Sequence, residues 1–180
     1  MMAEGWANHI LDFWFSHGRD DWRKPNAAFD LEIADRFAKL WEEMRENVPE
    51  HFLGSADDAL AAVILFDQFP RNMFRGHADQ FSTDPLALAV ARGAVERGHD
   101  DGMTPQRRGF LYMPFEHSED LRDQRQALLL FTALGDAEML GYARLHYDVI
   151  ARFGRFPHRN AMLGRKPTAT EAAAGDVAPW

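Results

Sequence analysis

Leu60-Ala61-Ala62-Val63-Ile64-Leu65-Phe66 is apolar on every side. Ser55, with Asp58 three residues later, supplies a helix cap just ahead of it. A helix that is apolar all round sits centrally in a core, so this run predicts the helix around which the rest packs. Directly after it come Asp67-Gln68-Phe69-Pro70-Arg71-Asn72-Met73-Phe74-Arg75-Gly76. Proline lacks the N–H and crowds the preceding turn, which predicts that the helix stops at Pro70. Nearly the same words close a second helix: Phe153-Gly154-Arg155-Phe156-Pro157-His158-Arg159-Asn160-Ala161-Met162-Leu163-Gly164. An Arg-Asn pair is not needed to end a helix. Its presence at two exits suggests one polar site built from two distant segments.

Working outward, helical signals continue along the whole chain. Phe29, Ile33, Phe37, Leu40, Trp41 and Met44 fall on one face at helical spacing. Thr83-Asp84-Pro85 places a cap before a first-turn proline for a helix running to Gly98. Thr104-Pro105 repeats the device for a short helix that Pro114 should end. Ser118 or Asp120 starts a helix closing at Gly135, and Asp136 one closing at Gly154. Thr168 with Glu171 spells a capping box for a last short helix. No stretch alternates with period two between hairpin turns, so no sheet is expected. The expectation is an all-α chain of seven or eight helices, paired as antiparallel hairpins by short connections, in a single domain over residues 1–180. No 34-residue repeat emerges, although helix pairs could still stack as in a solenoid.

With 180 residues the chain is long enough to bury one sizeable core. It has no cysteine, which excludes disulfides, thiolate nucleophiles and cysteine-type zinc sites and fits a reducing compartment. No apolar run approaches the roughly 20 residues that span a bilayer. Residues 10–15 are broken by Asp12 and do not read as a signal peptide, so a cytoplasmic location is expected. A net charge of −8 argues against a nucleic-acid surface. Residues 149–167 nonetheless carry Arg152, Arg155, Arg159, Arg165 and Lys166 with no acid. A local cationic tract on an acidic chain suits one small anion or an acidic peptide better than a polyanion.

Three segments concentrate polar residues beside apolar ones: 67–72, 111–120 and 146–160. At these phrases the chain resembles a bacterial family known as domain of unknown function 924. The matching stretches are residues 65–72 with Arg75-Gly76, 82–88, 111–120 and 148–160, and residues 10–15 resemble its opening motif. The resemblance implies a tetratricopeptide-like all-helical fold. It implies no activity and no catalytic residues.

Candidate ligand-binding residues are Asp67, Gln68, Arg71, Asn72, Arg75, Glu116, His117, Asp120, His146, Asp148, Arg152, Arg155, His158, Arg159 and Asn160. Arginine offers a rigid fork of donors suited to carboxylate or phosphate oxygens. The competing reading is a charge network in which the arginines cap helices and pair with Asp67, Glu116, Asp120 and Asp148. Arg144, Asp148 and Arg152 recur every four residues, as an ion-pair ladder would. His117, His146 and His158 sit near carboxylates, but no spacing is diagnostic of a metal and nearby arginines oppose a cation, so no metal and no cofactor are expected. Acid–base work by Glu116 and His117 is the candidate catalysis. No Gly-x-Ser-x-Gly is present, and Ser118 reads as a cap. The expected function is binding of a small anionic molecule in a cleft where the three segments meet. The alternative is a helical module that takes a peptide or protein tail in a concave groove.

Overall fold

Ser55 opens the central helix as its cap. Its hydroxyl accepts the Asp58 N–H at 3.0 Å, and α4 (Ala56–Val63) begins there. In the computed structural model, which describes residues 5–177, every side chain from 59 to 67 is fully buried. Proline does not end this helix as expected. The chain winds through one π-helical turn, Ile64–Gln68, and on into α5 (Phe69–Met73), with the Phe69 N–H donating to the Ile64 carbonyl. Pro70 sits in the first turn of α5, where a missing N–H is tolerated.

The carbonyl that residue 70 would ordinarily serve is that of Phe66. Thr83 serves it instead, donating its hydroxyl at 2.7 Å while accepting the Trp41 indole N–H at 3.2 Å. Thr83 therefore makes no side-chain cap to α6 (Asp84–Glu96), contrary to the sequence expectation. Pro114 likewise lies inside α7 (Pro105–His117) rather than ending it. Other ends match: Thr104 caps α7, Asp120 caps α8 (Leu121–Leu134) and Asp136 caps α9 (Ala137–Phe153). Gly135 and Gly154 terminate α8 and α9 in the left-handed conformation, at φ 78° and 73°. The capping box of Thr168 and Glu171 opens α10 (Ala169–Ala174).

Two aromatic-rich helices, α1 (Trp6–Ser16) and α3 (Ala27–Met44), with the short α2 (Arg19–Arg23) between them, wall one side of the central helix. Phe69 lies 4.6 Å from the Phe37 ring and 5.7 Å from that of Trp14, which fixes the position of α5. On the other side α4 packs against α6 and α7. Tyr112 faces Phe131 and Glu116 faces Gln124, so α7 and α8 run antiparallel. Gly109 meets Met139 and His117 meets His146, so α9 returns parallel to α7. A Cβ on Gly109 would stand 2.6 Å from Met139 Sδ, so glycine lets the start of α9 lie close to α7.

All regular structure among the described residues is helical, with 3₁₀ turns at Pro49–Phe52, Ala78–Phe81 and Pro157–Arg159. No helix there is long and apolar enough to cross a membrane.

Candidate functional site

The π turn and the last turn of α7 meet at Asp67. Its carboxylate is fully buried and accepts His117 Nδ1 at 2.7 Å and the Gln68 amide at 2.6 Å. Burial would raise its pKa, but Arg71, at 3.4 Å from Oδ1, together with His117 and Gln68, holds it well below the usual carboxylate range. Arg71 is not at a helix exit. It lies within α5, donates to the Asp67 carbonyl at 2.7 Å, and grips Asp84 with two bonds of 2.7 and 2.9 Å. Burial works against its charge, but Asp67 and Asp84 raise its pKa further.

Arg159 arrives from the other echo. It ends the 3₁₀ turn Pro157–Arg159 and reaches the same Asp84 at 3.6 Å, so the two echoing segments do converge. Its guanidinium lies between the rings of Phe81 and Phe156, at 4.4 and 4.5 Å. It donates to the His117 carbonyl at 3.0 Å, while its buried Nε has no partner among the described residues. Burial and the neighbouring Arg71 push its pKa down to about 10, against the opposing pull of Asp84.

Beside this pair, Glu116, His117 and His146 bring a carboxylate oxygen and two ring nitrogens within 4.8 Å of one another. Burial, and then Asp67, push Glu116 up to about 8. His146 donates Nδ1–H to the Tyr142 carbonyl at 2.8 Å. Burial and then His117 push its pKa down to about 3. Burial followed by Arg71 also lowers His117, despite Asp67, and burial followed by Arg159 lowers His158 to about 4. Near neutrality the site therefore holds an anionic Asp67, a protonated Glu116 and neutral imidazoles. Asp67 and the Tyr142 carbonyl only accept, so both histidines carry their lone pair on Nε2. A base and an acid thus stand side by side.

Arg71, Glu116, His117, His146 and Arg159 line a cleft of about 590 Å³ whose apolar side is formed by residues such as Trp22, Met113 and Tyr142. Gln68, Asn72, Arg75 and His158 also line it. Asn72 and Arg75, however, both bind Asp30 across to α3, at 2.7 Å and at 2.8 and 2.9 Å.

The remaining sequence candidates lie elsewhere. Asp120 caps α8 and pairs with Arg122. Asp148 and Arg152 are exposed on α9, and no ion pair joins Arg144, Asp148 and Arg152 among the described residues. Arg155 clasps Glu171 and the Lys166 carbonyl, and Asn160 binds the same Glu171. The expected partners Asp120 and Asp148 are therefore replaced by Asp84, Asp30, Glu119 and Glu171. Sequence reading missed Asp84 because Thr83-Asp84-Pro85 reads as a helix start. The acid at that start was the available signal.

The profile of a family described as a bacterial protein of unknown function, DUF924, matches residues 10–174. The chain belongs to this family. Among solved structures, one that the chain is similar to is a protein of unknown function from Agrobacterium tumefaciens. It is 42% identical, with a TM-score of 0.86 over 93% of this chain and 95% of that one. No curated protein matches the chain. The likeness to that structure agrees with the all-helical architecture, and its description names no ligand or reaction.

Proposed function

We propose that the cleft binds a small organic anion, a carboxylate or phosphate on an apolar body, with Arg159 as its charge anchor. One observation carries this reading. Arg159 is a nearly fully buried cation set between two aromatic faces, with one in-plane bond to the His117 carbonyl and a buried Nε–H that has no partner among the described residues. The one carboxylate within ion-pair distance among the described residues is Asp84, at 3.6 Å, and its short bonds go to Arg71. An incoming anion would complete the pairing. The apolar wall suits the rest of a small molecule. His117, oriented by Asp67, is the group placed to move a proton on it.

The rival is an acidic peptide held by a tetratricopeptide-like module, which needs an open row of anchors. The polar groups here converge, buried, at the base of one cleft, which favours the small molecule. Calorimetric titration of the full chain with inorganic phosphate and short-chain carboxylates tests the proposal. The wild type should bind at least one class, and Arg159→Gln should weaken that binding by about 10- to 100-fold, as for loss of a charge-assisted hydrogen bond. Equal binding by both proteins, or none by the wild type, would remove the anchor role.

A further inference from the structure

We infer that Glu116, His117 and His146 form a binding site for one divalent transition-metal ion, with two imidazoles and one carboxylate as ligands and open positions toward the cleft. The three ligand atoms lie within 4.8 Å of one another. Donors around a tetrahedral zinc stand about 3.3 Å apart, so shifts of about 1 Å in the side chains close the set. The two imidazole rings are already neighbours, with centroids 5.7 Å apart and planes tilted by 48°. Glu116 Oε2 is buried and has no hydrogen-bond partner among the described residues, a costly arrangement that a cation would relieve.

The surroundings hold each ligand as a metal site requires. Ligating histidines usually donate their other ring N–H to a carboxylate or backbone carbonyl, which sets the tautomer and the ring orientation. His117 does this to Asp67 at 2.7 Å, and His146 to the Tyr142 carbonyl at 2.8 Å. Asp67 is in turn held by Gln68 and Arg71. The arginines do not make the place cationic. Asp67 and Asp84 balance the two guanidiniums of Arg71 and Arg159, Arg71 is turned onto Asp84 by two bonds, and the ion takes the place of the Glu116 proton on binding. Two histidines and one carboxylate with open positions suit zinc or iron(II) rather than magnesium or calcium. The site goes beyond the anion reading and does not depend on it, although a bound cation would face whatever anion Arg159 holds.

Equilibrium dialysis of chelator-stripped, full-length protein against zinc, followed by elemental analysis, tests the inference. The wild type should take up about one zinc per chain, and cobalt(II) should bind with the visible d–d bands of a low-coordinate nitrogen–oxygen site. Glu116→Gln and His146→Gln should each lose that zinc, and Asp67→Asn should weaken it by about 10- to 100-fold. The control His51→Gln should bind normally, because His51 is exposed, on the 3₁₀ turn Pro49–Phe52. Absence of zinc and cobalt binding by the wild type overturns the site without reference to any variant. Retention of stoichiometric zinc by His146→Gln also overturns it, because the ion then sits at surface histidines. Phosphate and carboxylate titrations of the metal-stripped protein keep the fate of the anion reading separate from this one.

Discussion

Arg71 and Arg159 occupy equivalent places in two echoing phrases, yet their surroundings assign them opposite energetics. Arg71 neutralises two acids, one of them the fully buried Asp67, and removing one partner of a buried ion pair typically costs 3–5 kcal/mol. Arg71→Gln should therefore lower stability by about 3–5 kcal/mol in a ligand-free denaturant melt. Arg159 is a buried cation disfavoured by its own desolvation and by Arg71, and it holds a single backbone carbonyl. Arg159→Gln should lose less than about 1.5 kcal/mol in the same melt, the net worth of one such hydrogen bond. A loss as large as that of Arg71→Gln would make Arg159 structural and remove the charge anchor from the cleft. The echo was legible because it is local sequence. The difference between its halves was not, because Asp84 is brought to both by the packing of α6 onto the central helix.

At the scale of elements, the sequence named the right helix and misread its end. Residues 60–66 are buried to the last atom, as an all-round apolar run implies. Leu65→Ala should then cost about 2–5 kcal/mol through lost burial and a cavity, and a chemical melt showing under about 1 kcal/mol would contradict that placement. Pro70 was expected to stop the helix because a proline removes one N–H and strands one carbonyl. The stop fails because Thr83, seventeen residues away, supplies the missing donor, and the π turn absorbs the change of register. No local pattern marks a hydroxyl as the donor for a particular carbonyl. Thr83→Val keeps the shape and removes the hydroxyl, leaving the Phe66 carbonyl and the Trp41 indole without it. The expected loss is about 1–3 kcal/mol in a denaturant titration, the cost of leaving a buried polar group unpaired. A neutral result would mean that Pro70 is accommodated by the π turn alone.

For the whole molecule, one ion pair distant in sequence fastens the segment after α9 to the rest, and a second closes that segment on itself. Arg165 grips Glu119 at 2.7 and 3.0 Å, the Phe156 N–H donates to the same carboxylate at 2.7 Å, and Arg155 grips Glu171 at 2.6 and 2.8 Å. The basic tract at 149–167 was legible in sequence as a charge imbalance. Its division into Arg155 and Arg165 as clasps and Arg159 as the cleft-facing cation was not, since the acids come from α10 and from the connection between α7 and α8. This arrangement has a pH signature. The hydrogen bond from Arg155 holds Glu171 down at about 2, with the Thr168 backbone N–H adding to it, below the ordinary 4.5. A carboxyl depressed in the folded state contributes stability above its unfolded pKa and loses it as the pH falls through the folded value. The Glu171 contribution is therefore complete above about pH 5 and fades between 4.5 and 2. His146 and His158, kept neutral by burial, add a separate loss that begins near their ordinary 6.5, so the wild-type curve alone does not isolate the clasp. The difference between wild type and Glu171→Gln does. Their melting temperatures should be separated by a constant gap from pH 8 to about pH 5, and the gap should close as the pH approaches 2. A gap that persists unchanged into acid would mean that Glu171 works through packing and its neutral hydrogen bonds, with no contribution from its charge.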